Sequence, residues 1–138
     1  MTRAAPGPVG GLALALALAG CGSPSADLFE VVRTGPDRNA NVRLLVSDDG
    51  TVRCNRRKPV AMGADRLLTA RELARDLETQ AALGLELPRG RGSILSYRVR
   101  LEAGTIAFSD RSRGIPRSFN RLAAFTSDVA ERVCKLER

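Results

Sequence analysis

Two stretches of this chain alternate apolar and polar residues with a period of two, and each folds back on a short polar turn. Val42-Arg43-Leu44-Leu45-Val46 runs into Ser47-Asp48-Asp49-Gly50 and returns as Thr51-Val52-Arg53-Cys54. Farther on, Tyr97, Val99 and Leu101 alternate with Arg98 and Arg100, Glu102-Ala103-Gly104 turns the chain, and Ile106 and Phe108 carry the returning apolar side. Such alternation buries one face of a strand and wets the other, the pattern of half-buried antiparallel hairpins. Gly50 supplies the left-handed backbone that closes the first turn. Residues 28–32, Leu-Phe-Glu-Val-Val, form a further strand candidate that breaks at Gly35-Pro36.

Between the hairpins the period becomes helical. Thr69-Ala70-Arg71-Glu72 fits a capping box with Leu68 and Leu73 as its hydrophobic staple, and the turn over 65–68 is open to helix as well. Ala70, Leu73, Leu77 and Ala81 then share one side until Gly84. A last helix is predicted over 117–136, with Leu122, Phe125, Val129, Val133 and Leu136 as its buried stripe and Cys134 at the flank. Asp128 with Arg132 and Glu131 with Lys135 are i,i+4 pairs in the favourable order. The order β-ββ-α-ββ-α predicts an α+β domain: an antiparallel sheet of four to five strands, two helices on one face, the other face open. Val42, Leu44, Val46, Val52, Val99, Leu101, Ile106 and Phe108 are the expected core of the sheet. Arg43, Arg53, Arg98 and Arg100 fall on the opposite phase and face water.

The N-terminus follows a different pattern. Residues 12–19 alternate Leu and Ala, far short of the ~20 needed to span a bilayer but suited to the apolar region of a secretory signal behind Arg3 and the free amino group. The run ends at Leu18-Ala19-Gly20-Cys21. That sequence resembles the lipobox of bacterial lipoproteins. The resemblance implies cleavage before Cys21, a diacylglycerol bearing two acyl chains such as palmitate on its sulfur, and a protein held on the outer face of the bacterial cell membrane. Each buried methylene contributes ~0.8 kcal/mol, so two chains anchor stably where one is marginal. The expected division is a signal peptide over 1–20, the lipidated cysteine and tether over 21–27, and a single domain over 28–138. A seven-residue tether reaches at most ~25 Å.

Composition narrows the chemistry. The chain carries 22 basic and 15 acidic residues, a net charge of +7, with no His and no Trp. An imidazole base, a His-ligated metal and a His-containing triad are thereby excluded. With Cys21 acylated, Cys54 and Cys134 remain as an even pair in an oxidising compartment, where they are expected to form a disulfide; two cysteines are too few for a metal site. No metal or cofactor is expected.

Candidate catalysts are few. Asp48-Asp49 lies in a turn and Glu72 with Asp76 on a solvated helix face, where nothing desolvates one carboxyl to raise its pKa. Ser96, Ser109 and Ser118 lack a base unless Lys58 or Lys135 serves. Gly90-Arg91-Gly92-Ser93 has neither phosphate-loop spacing nor aromatics to stack on bases, and reads as a flexible connector. The expectation is a non-enzymatic binding or structural role with an unknown protein partner and no nucleic acid. Arg43, Arg53, Arg98 and Arg100, together with Arg56-Arg57-Lys58, are the candidate contacts for anionic lipid or an anionic envelope polymer.

Over 42–136 the order of elements is similar to that of the subtilisin-inhibitor family: a strand ending in Cys54, a Pro-containing loop, an Ala- and Leu-rich helix, a connecting loop, a hairpin and a second helix. The resemblance implies a secreted-type serine protease inhibitor whose contact loop is 85–93, around Arg89. That family has four cysteines in two disulfides. Here the first helix has Ala74 and no cysteine, and the loop over 85–93 has none either.

Overall fold

The structure, a computed structural model, describes Met1 and residues 26–136. The signal segment, the lipobox with Cys21 and the tether up to Ser25 lie outside the described residues. The domain is α+β, with one antiparallel sheet and two helices.

Six strands make the sheet: β1 (Asp27–Thr34), β2 (Val42–Ser47), β3 (Thr51–Cys54), β4 (Val60–Ala61), β5 (Ser96–Leu101) and β6 (Gly104–Ser109). Their order is β4-β3-β2-β1-β5-β6, with every neighbouring pair antiparallel. The sixth strand beyond the expected four to five is β4, whose two residues pair with Thr51 and Val52; a segment so short carries no readable alternation. β1 sits in the middle because both of its edges find partners, β2 and β5. Phe29, Val31, Leu44, Val46, Val52, Val99 and Ile106 are buried on one face. The β2–β3 turn has Gly50 at φ +86°, in the left-handed region that its position demands.

Helix α1 (Ala64–Ala82) and helix α2 (Arg117–Asp128) cross that buried face. α1 begins five residues before the expected capping box. Gly63 precedes it, Thr69 is interior and donates its hydroxyl to Asp65 O at 3.0 Å, and Leu68 is 57% exposed, so no staple forms. Residues 65–68 have no helix breaker, and helix propagates through them once Arg66 is held by Asp128 at 2.7 Å. The C-terminus ends in a Schellman pattern: Leu85 N–H donates to Gln80 O and Gly84 N–H to Ala81 O, with Gly84 at φ +61°.

α2 runs into a wider π turn over Val129–Val133, in which Cys134 N–H donates to Val129 O at 2.9 Å. The turn is wider than that of an α-helix, so Cys134 falls on the buried side with Val129, while Val133 is only half-buried. The expected stripe through Val133 is shifted by one residue for this reason. The shift carries Cys134 to Cys54, with Cα atoms 6.0 Å apart and the sulfurs joined.

Both sheet edges are occupied or short. Residues 85–87 run beside β6, where Ala107 N–H donates to Leu85 O and Leu87 N–H to Ala107 O. At the far edge β4 is two residues long and follows Pro59.

Candidate functional site

On the open face of the sheet the four arginines do share one side, and β1 brings Glu30 between them. Glu30 is opposite Leu45 on β2 and Arg100 on β5. Its carboxylate, mostly buried, accepts from Arg43 at 3.1 Å and from Arg100 at 2.7 Å. Arg98 reaches Glu86 at 3.4 Å, and Arg53 at the far side has no ion pair among the described residues. Four arginines thus stand against two glutamates. That halves the surplus charge the face presents and lowers its pull on anionic head groups.

The candidate carboxylates serve as structural partners. Arg121 bridges Asp76 at 2.7 Å and Glu72 at 3.0 Å, and Arg71 holds Asp48 at 2.6 Å. Asp49 accepts from the Thr51 hydroxyl and N–H, and these bonds hold its carboxyl below the ordinary range. Asp128 is likewise held low, first by the hydrogen bond from Arg66.

The serines close a structural cluster too. Ser109 Oγ, buried, contacts Ser93 Oγ at 2.7 Å and Ser112 Oγ at 3.0 Å and accepts from Gly90 N–H at 3.2 Å. Ser112 in turn donates to Pro88 O at 2.8 Å. A side chain on Gly90 would overlap the Arg111 carbonyl, so only glycine allows this approach. Ser93 N–H closes a turn onto Gly90 O with Gly92 at φ +74°, and Ile94 N–H donates to Asp110. The segment expected to be a flexible connector is pinned from both sides. The sequence shows serines 16 and 19 residues apart, and nothing in it says that they meet. Arg89, itself exposed, donates to Ser96 Oγ and Ser93 O, both at 2.6 Å, and Arg91 stands exposed at the corner of the turn.

The charges also divide along the length of the strands. Ala26 O accepts from Asp48 N–H at 2.9 Å, so the chain enters the domain beside the β2–β3 turn. A cleft at that end is rimmed by Asp27, Asp48, Glu78 and Glu102 with Arg75 as its one cation, and Asp48 is itself paired with Arg71. At the opposite end, where β1 finishes, the 35–41 loop, the β3–β4 loop and the C-terminal turn gather Arg38, Arg56, Arg57, Lys58 and Lys135. None of the five is in an ion pair among the described residues.

The class that fold and surface define is therefore a disulfide-closed α+β domain with an acidic entry end and a basic far end. No protein-family model, no curated protein and no solved structure matches the chain.

Proposed function

We propose that this protein is a bacterial envelope lipoprotein, anchored through acylated Cys21, whose domain binds an anionic partner and performs no catalysis. The observation that carries this reading is the segregation, to the end opposite the chain's entry, of cations that have no carboxylate partner among the described residues. A tether of at most ~25 Å attached at the acidic end keeps that end toward the membrane and turns the basic end outward. Negative charge on the entry end also disfavours its collapse onto anionic head groups within a Debye length of ~8 Å. The test is fractionation with metabolic acyl labelling of the wild type and Cys21→Ser. The wild type should take label and stay with membranes, and the variant should lose label and appear as precursor or soluble protein. Unchanged membrane retention and labelling of Cys21→Ser would remove the anchor from the reading.

A second reading is favoured by the pinned 85–93 loop. A protease-contact loop must resist rearrangement once bound, because ordering it on binding costs affinity, and the Ser109 cluster supplies that restraint. Under this reading Arg91 is the contact residue, since the Arg89 guanidinium is already engaged by Ser93 and Ser96. A panel of subtilisin-like and trypsin-like proteases should then be inhibited stoichiometrically, with Arg91→Ala abolishing the effect. Cleavage of the loop without inhibition counts against it.

A further inference from the structure

The basic far end contains a cleft of about 400 Å³ lined by Arg38, Asn39, Asn41, Asn55, Arg57, Lys135 and Leu136. Three segments distant in sequence meet there, and the disulfide joins two of them: Asn55 directly follows Cys54, and Lys135 directly follows Cys134. Asn55, Arg56 and Lys135 are the non-glycine residues with positive φ among the described residues, at +46°, +66° and +53°. Strained backbone of this kind persists where surrounding structure over-determines it. Here the buried cysteines do so, together with Arg57 N–H donating to Cys54 O at 2.8 Å.

The lining has one chemical character. Asn41 Oδ1 accepts from Gly35 N–H at 3.2 Å and Asn55 Oδ1 from Arg43 N–H at 2.7 Å. A backbone N–H fixes which end of each amide faces it, so what Asn41 and Asn55 can offer a ligand is their Nδ2 hydrogens. Together with Arg38, Arg57 and Lys135 they make a wall of donors and positive charge. Among the described residues no carboxylate lines it. Three cations exceed what one carboxylate neutralises and match a group with two or more charges, for which the guanidinium fork is suited.

We propose that this cleft is a binding site for a phosphoryl group, carried either by a soluble phosphate-bearing molecule or by a lipid head group of a facing surface. The proposal deepens the anionic-partner reading but does not require the anchor. The test uses the full mature protein in neutral detergent, titrated with pyrophosphate at low salt by calorimetry, with side-chain amide resonances followed by NMR. Saturable binding is expected, with the Asn41 and Asn55 Nδ2 signals shifting. Arg57→Glu should weaken it at least tenfold. Arg53→Glu, which changes net charge equally on the sheet face, should weaken it less than threefold. Equal losses in the two variants, or shifts spread over all arginines, would overturn the site, as would no saturable binding. Protein in neutral vesicles is then mixed with anionic phospholipid vesicles. Bridging reversed by pyrophosphate supports the site with a head group as ligand, and pyrophosphate binding without bridging supports it with a soluble one. Bridging that pyrophosphate leaves intact and Arg57→Glu does not weaken would overturn it.

Discussion

Replacing both Cys54 and Cys134 by Ala tests how much of the fold depends on its one long-range covalent tie. The cysteines are 80 residues apart in sequence, so the crosslink removes from the unfolded chain the freedom of a very large loop. The chain-entropy relation gives about 4.5 kcal/mol for such a loop, and measured values for natural disulfides centre on about 2–4 kcal/mol. A loss of about 3 kcal/mol is expected. For a domain of this size 1 kcal/mol moves the melting temperature by roughly 3–6 °C, so the variant should melt roughly 10–20 °C lower. A second signature separates this cause from lost packing. Without the crosslink the unfolded chain is more expanded, and the urea m-value should rise. Calorimetry and urea titration of the protein measure both quantities. A loss below about 1 kcal/mol with an unchanged m-value would refute the reasoning, as would two reactive thiols in the unfolded, unreduced wild type.

Three further outcomes follow from the same geometry. Gly90→Ala should cost about 2–4 kcal/mol, from overpacking against Arg111 and loss of the Gly90–Ser109 hydrogen bond, with faster amide exchange at Ser93 and Ile94; wild-type-like exchange there would mean that the loop is not pinned by this contact. Leu77→Ala, in the fully buried stripe of α1, should cost about 2–5 kcal/mol in urea melts, and a loss under 1 kcal/mol would place Leu77 outside the core. Because Arg66 holds the Asp128 carboxyl below its ordinary value of 3.8, this pair's contribution is full above that value and is lost as pH falls through the lower folded value. The stability gap between wild type and Asp128→Asn should thus be constant near neutrality and close in acid; a gap that widens on acidification would reverse the assignment.

The sheet was legible because its signal is local. Val42, Leu44, Val46 and Val52 alternate within one hairpin, and Gly50 marks its turn, so the face each residue takes follows from neighbours in sequence. The same holds for the helical stripe of Ala70, Leu73, Leu77 and Ala81. The capping box at Thr69 did not form, whereas the helical turn over 65–68 left open beside it did; Thr69 and Glu72 have the spacing of a cap wherever they fall, and the contact that extends the helix, Arg66 to Asp128, spans 62 residues. The π turn was hidden for a related reason: every residue from Val129 to Val133 is compatible with ordinary helix, and the wider turn is what brings Cys134 to Cys54. The phase of Arg43, Arg53, Arg98 and Arg100 was readable, whereas their partial neutralisation was not, since Glu30 lies on a strand whose neighbours are set by topology. The far cleft was the least visible, its cations coming from three loops without a shared motif.

The treatment of the sheet edges bears on how densely such a protein can be packed. At β6 the outward groups of Ala107 are taken by residues 85–87, and those of Ser109 by Ser112, whose N–H donates to Ser109 O while its hydroxyl receives Ser109 N–H. At the opposite margin β4 offers two residues behind a proline. A second copy seeking to continue the sheet therefore meets a hydrogen-bond ladder with almost no free rungs. Molecules confined to a plane by a lipid collide far more often than the same number free in solution, and a bare strand would seed ribbons that grow across the membrane. On the lipid anchor proposed above, a domain with so few free rungs can be crowded without polymerising sideways.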